Sequence, residues 1–159
     1  MTADMNRLES LMADAVEVGV RHVESGGLPF VGRLVADDGW VSEPGVNLVR
    51  ETGDLTAHAE IVAIREAVET RGPSSLEGAT LLATGEPCAL CYRFAAAHSI
   101  AAVCFAVDRD TAAEWGFDYR AGYEMTRLPL AATAEHLAVP RGLVPFTRYV
   151  DLHRSDFTS

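Results

Sequence analysis

Two short apolar runs limit what this chain can fold into: "ATLLAT" at 79–84 and "IAAVCFAV" at 100–107. Neither alternates polar with apolar residues, so each reads as a strand buried on both faces, and both are far too short to cross a bilayer. Between them a helix is predicted from Pro87, placed where a first helical residue is tolerated, to about Ser99. Upstream, Leu8, Leu11, Met12, Ala15, Gly19 and Val23 recur at helical spacing, which predicts an amphipathic helix over 5–24 stopped by "SGGLP". "FVGRLVA" and "WVSEPGVNLV", joined by the turn "DDG", predict an antiparallel hairpin. A helix capped by Asp54 or Thr56 follows to about Arg71, where Gly72-Pro73 ends it, with Ile61, Ile64 and Val68 as its buried stripe. After residue 107 come an aromatic loop ("EWGFDYRAGY"), a weak strand near "EHLAV" and a last helix over about 141–153. This order predicts an α/β fold of three layers, α/β/α, around a mixed five-stranded sheet: an antiparallel first hairpin, then parallel strands. With 159 residues, no repeat and no linker-like stretch, the chain reads as one domain, 1–159.

Charge narrows the partners. The formal net charge is −10, and every basic residue outside the histidines is arginine. Such a balance repels phosphate backbones and anionic membranes, so neither nucleic acid nor a membrane is expected as a partner. Asp4, Glu9, Asp14 and Glu17 interrupt the first thirty residues, which do not read as a signal peptide. A cytoplasmic protein is the expectation. Three cysteines, Cys88, Cys91 and Cys104, are too few and too odd for a disulfide framework. In a reducing compartment a close pair is catalytic or metal-binding.

Cys88 and Cys91 stand three apart at a predicted helix start, so both thiols face one side, and a helix N-terminus favours the thiolate. His58 opens the first turn of another helix, with Glu60 two residues on. Three protein ligands with one vacant position make a catalytic zinc site, and a carboxylate beside its water can move a proton. Taken singly, each piece has a plainer explanation. H-x-E at a helix start is commonly a solvated or capping pair, and P-C-x-x-C could be half of a structural zinc site or a redox pair. The redox alternative is weakened by Pro87 before the pair and by an order of elements unlike a thioredoxin. Cys104 lies within an apolar strand and reads as core. His22, His98, His136 and His153 have no partner at metal spacing.

The two halves together, "TAHAEIVAIREA" and "GEPCALC", carry the pattern of zinc deaminases. Here the chain resembles the cytidine-deaminase-like superfamily over roughly residues 5–155, and within it the bacterial guanine-deaminase-type nucleobase deaminases. "LPFVGRLV", "GVNLV" and "AAEWGFDY" add to the likeness. The resemblance implies one zinc per chain on His58, Cys88 and Cys91, with Glu60 as proton shuttle. It implies that Asn47 meets the edge of a base, that the backbone near Ala59 and Glu86–Cys88 faces the substrate, and that Phe30, Trp115, Phe117 and Asp118 pack on or close over the ring. It also implies a homodimer, some relatives exchanging C-terminal segments.

Four departures from the family pattern stand out: Leu55 where proline is usual, Leu90 where methionine is common, Ala97 where a tryptophan or histidine is usual, and "VPRGLVPF" without an acid near the last helix. The implied activity is hydrolytic deamination of a free amino-heterocycle: guanine, cytosine or an azacytosine, or an amino-s-triazine such as ammeline. Two rivals stand beside it. A tRNA-specific adenosine deaminase would need a basic surface for single-stranded RNA, against which the net charge and the C-terminal "VDLHRSDFTS" count. A structural zinc module would need a fourth protein ligand.

Overall fold

The computed structural model describes residues 2–125 and 127–154. Residue 1 and residues 155–159, the ends of the expected domain and of "VDLHRSDFTS", lie outside the described residues. The order is α1 (Thr2–Glu24), β1 (Val31–Val35), β2 (Gly45–Val46), α2 (Val49–Thr52), α3 (Ala59–Arg71), β3 (Thr80–Gly85), α4 (Ala89–Ala97), β4 (Ala102–Val107), α5 (Arg109–Glu114), a 3-10 turn (Arg120–Met125), α6 (Pro129–Thr133), β5 (Glu135–His136) and α7 (Val144–Leu152). The sheet runs β2-β1-β3-β4-β5. β1 is antiparallel to both β2 and β3, whereas β3, β4 and β5 are parallel.

Alternation along each strand sends neighbouring side chains to opposite faces. Leu34, Leu81 and Val103 share one face with Ile64 and Ala67 of α3 and Tyr92 and Ala95 of α4. Their neighbours Val35, Leu82 and Cys104 join Met12 and Val16 of α1 on the other. Both faces of β3 and β4 are therefore covered, which is why their sequences show no polar alternation. Cys104 lies in that second core, as its apolar surroundings predict. α7 packs beside α1. Among the described residues no helix is long and apolar enough to cross a membrane.

The elements depart from the sequence expectations at five places. The second hairpin strand shrinks to Gly45–Val46 plus a lone bridge between Val35 and Val41, because Pro44 between them has no N–H for the ladder. α3 is capped by His58, not by Asp54 or Thr56; the Asp54 carboxylate instead accepts from the Thr56 amide and hydroxyl and pairs with Arg65. α4 is capped by Cys88, which leaves Pro87 one residue outside the helix. α5 falls inside the stretch expected to be loop, and Asp108 caps it by accepting from the Thr111 amide at 2.7 Å. Val68 is half-buried; the buried face of α3 is broader, from Ala59 through Ile64 to Ala67.

Two glycines seat the first turn of α3. A Cβ at Gly32 would stand 2.8 Å from the Glu60 Cα, and one at Gly45 would stand 2.6 Å from both the Ala59 carbonyl oxygen and the Ala63 amide nitrogen. Only residues without a side chain let helix backbone approach the hairpin this closely. The contact presses residues 58–60 against the sheet and buries Glu60 to 4% exposure.

Candidate metal centre

α3 and α4 both start at the same end of the sheet, and their starts bring His58, Cys88 and Cys91 together. His58 and Cys88 are the N-caps, in extended backbone, and Cys91 lies one turn into α4, fully buried. The His58 Nδ1 is 3.5 Å from the Cys88 Sγ and 3.4 Å from the Cys91 Sγ, and the two sulfurs are 3.6 Å apart. That separation is far beyond a disulfide bond of about 2.05 Å. It is near what one zinc ion requires: Zn–S of about 2.3 Å and Zn–N of about 2.0–2.1 Å in a tetrahedron put the sulfurs ~3.8 Å apart and each ~3.6 Å from the nitrogen. The donor set, two thiols and one imidazole, suits zinc. Among the described residues no fourth His, Cys, Asp or Glu joins these three, and no second such cluster occurs. A three-ligand set leaves the fourth position open.

The protons are unevenly shared. Contact with Cys91, and then with the His58 ring, holds the Cys88 thiol down to about 4, whereas the Cys88 partner and burial push the Cys91 thiol well up. Contact with Cys88 raises His58. The Cys91 thiol donates to the Glu60 Oε2 at 3.2 Å, and burial pushes the Glu60 carboxyl up to about 7. A carboxyl poised near neutrality, beside the cluster but outside it, is suited to taking and returning a proton.

A pocket of about 190 Å³ opens onto this cluster, lined by Leu28, Phe30, Asn47, His58, Ala59, Glu60, Glu86, Cys88 and Tyr119. Of the residues expected at the substrate, Phe30, Asn47, Ala59 and Glu86 are there. The Asn47 Oδ1 accepts from the Val49 amide at 3.1 Å, which fixes the side chain and leaves its NH₂ as the outward group. Trp115, Phe117 and Asp118, expected to pack on or close over the ring, are not among the residues that line the pocket. Exposure alternates through the segment: Trp115, Phe117 and Tyr119 turn inward, Gly116, Asp118 and Arg120 outward. Trp115 and Phe117 pack with Val107, Ala112 and Phe146, and Phe117 meets Phe30 edge-on at 5.3 Å, so they brace the pocket wall from behind. Asp118 is held by Arg120 at the surface. Tyr119 and Leu28 escaped the sequence reading; the spacing of Trp115, Phe117 and Tyr119 at every second residue is the signal that could have found Tyr119. Ala97 is exposed on α4 and is not among the residues that line the pocket.

Residues 5–107, more than half of the 159, match the family described as the cytidine and deoxycytidylate deaminase zinc-binding region. The chain belongs to this deaminase family. Membership makes it a hydrolytic deaminase that works with zinc, and the cluster at His58, Cys88 and Cys91 could form the zinc site. Guanine deaminase of Bacillus subtilis (strain 168) is 33% identical over 143 residues, covering 89% of this chain and 88% of that protein. The solved guanine deaminase of Nitrosomonas europaea has the same fold, with a TM-score of 0.75 over 89% of this chain and 83% of its own, at 22% identity. The tRNA-specific adenosine deaminase of Agrobacterium fabrum is 45% identical, but over 46% of each chain.

Proposed function

We propose that this deaminase acts on a free amino-substituted base or a related heterocycle, replacing a ring C–NH₂ by C=O and releasing ammonia. The observation that carries the reading is the pocket: a narrow space between Phe30, Leu28 and Tyr119 that ends at Glu60 and the open side of the three-ligand cluster. A flat heterocycle fits such walls, with Phe30 held rigid by edge contacts to Phe117, Tyr119 and Phe146. The Asn47 NH₂ donates to an acceptor on the edge of the base. His58, Cys88 and Cys91 would hold zinc, which would lower the pKa of a bound water toward ~7. Glu60 takes one proton from the attacking water and delivers it to the ring nitrogen beside the reacting carbon as the water oxygen bonds that carbon; it then takes the second proton from that oxygen and passes it to the amine as the C–N bond breaks and C=O forms. Amides at the start of α4 face the developing charge.

The guanine deaminase relative spans nearly this whole chain, whereas the tRNA deaminase likeness covers about half, which favours a free base over an anticodon. One domain carries the whole reaction in this reading, in a reducing compartment such as the cytoplasm, where the three free thiols persist. A homodimer completes it; Leu90, Ala96 and Ala97 give α4 an exposed apolar face for a second copy.

The test is ammonia release from guanine, cytosine, 5-azacytosine, ammeline, melamine, adenine, cytidine and guanosine, with a tRNA-editing assay beside it. Turnover of at least one free base or triazine, without tRNA editing, is expected. Because Ala97 lies off the pocket, guanine belongs at the head of that panel together with the one-ring compounds. Editing of tRNA without free-base turnover overturns the reading.

A further inference from the structure

We propose that Arg109, Tyr119 and Tyr123 form a clamp that positions Cys88 for the metal by holding the two residues before it. His58 and Cys91 are fixed by secondary structure, one seated with the glycine-backed first turn of α3 and the other buried inside α4. Cys88 is less enclosed. It follows Glu86 and Pro87, the link between β3 and α4, and Pro87 has no N–H with which to anchor itself. The backbone of that link is tied to β4 by the Glu86 amide, which donates to the Val107 carbonyl at 2.8 Å.

The remaining ties come from one segment. The Tyr119 hydroxyl donates to the Glu86 carbonyl at 2.5 Å, and the Tyr123 hydroxyl donates to the next carbonyl, Pro87. The Glu86 carboxylate accepts from the Arg109 amide at 2.8 Å and from its guanidinium at 3.2 Å, with the Tyr92 hydroxyl of α4 at 3.3 Å. The Arg109 guanidinium also lies over the Tyr123 ring, 4.1 Å from its centroid, so the ion pair and the second hydroxyl tie reinforce each other. Every one of these bonds ends one or two residues before Cys88. Tyr123, Arg109 and Tyr92 are not among the pocket-lining residues. They act through Glu86 and Pro87, and are positioning residues. Partners that orient metal ligands typically govern metal affinity by about 10–100-fold.

The inference rests on the zinc site proposed above, and the experiment separates the two. Zinc release to a chromophoric chelator is timed for the native enzyme, Tyr123→Phe, the double variant Tyr119→Phe/Tyr123→Phe, and Val16→Ala. Val16→Ala removes buried methyls in the core beneath α1, far from the clamp, and controls for simple loss of stability. Tyr123→Phe keeps its ring over Arg109 and loses the hydroxyl alone. It is expected to weaken zinc binding about 10-fold, the double variant further, while Val16→Ala holds zinc as tightly as native. The cobalt-substituted Tyr123→Phe enzyme should show a shifted visible ligand-field spectrum. Native-like zinc release and cobalt spectrum in Tyr123→Phe, or release no faster than from Val16→Ala, overturns the clamp. A native protein that takes up no zinc overturns the metal site itself.

Discussion

Three helices of this molecule begin in nearly the same backbone geometry, and they use it in opposite ways. The caps of α3 (His58), α4 (Cys88) and α5 (Asp108) all have extended backbone, with φ between −68° and −76° and ψ between 156° and 172°. Asp108 does what a cap residue ordinarily does and accepts from the Thr111 amide. His58 and Cys88 make no side-chain cap bond. Their side chains turn to each other and to Cys91 instead, each forgoing the ~1 kcal/mol that a cap contributes. The next turn repeats the contrast. Glu60 of α3 and Asp110 of α5 both stand two residues after the cap, yet Glu60 is buried, while Asp110 is exposed and paired with Arg120. The same local position thus stabilises one helix and, in another, is buried beside the metal cluster, and what decides is the surrounding packing: the glycine seat that drives α3 against the hairpin.

The largest break in that comparison is to restore the cap where it was given up. Cys88→Ser places a strong cap former on α4 and removes a metal ligand. Zinc content by metal analysis should fall to near zero and turnover with it, while urea unfolding should find the variant no less stable than native protein stripped of zinc, and up to ~1 kcal/mol more stable. A variant that still binds zinc would end the ligand assignment.

Next in size is Glu60→Gln. If Glu60 merely favoured the positive end of α3, its loss would cost about 0.3–1 kcal/mol of stability and no activity. The proposed proton transfer instead predicts retained zinc and a kcat lower by ~10²–10⁴-fold or more, since one group acts twice. Its positional twin, changed as Asp110→Asn, should leave kcat where it was.

Smallest is Asp108→Ala. It should destabilise by about 1 kcal/mol near neutral pH with zinc retained. The bond from the Thr111 amide holds the Asp108 carboxyl below its ordinary 3.8. A carboxyl with a depressed folded pKa contributes stability above its unfolded value and loses it as pH falls through the folded one. The gap between variant and native in denaturation curves should therefore be full above about pH 4 and close below it. A gap independent of pH would show that the carboxylate is not the capping group.

How much of this was legible in the sequence follows from the same contrast. His58, Glu60, Cys88 and Cys91 were legible through the two-part pattern of zinc deaminases, and the apolar runs marked β3 and β4. Caps were harder: Asp54 and Thr56 have capping side chains but close a turn of their own, while His58 and Cys88 cap by backbone alone. α5 has six residues, too few for a periodic signal, though Asp108 followed three residues on by Thr111 marks its start. The pocket wall was least legible. Trp115, Phe117 and Tyr119 are all large aromatics in a loop and all turn inward, so nothing local separates Tyr119, which lines the pocket, from the other two. The hydroxyl ties of Tyr119 and Tyr123 join residues more than thirty apart, and no local pattern announces them.

The glycine seat has a further consequence, for how this sequence can drift. Leu55, 78% exposed beside the metal helix, can be exchanged widely without disturbing anything beneath it. At Gly45 and Gly32 a single added methyl would meet helix backbone, which has no rotamer with which to yield. Two residues with no chemistry of their own thus set the depth at which His58 and Glu60 stand.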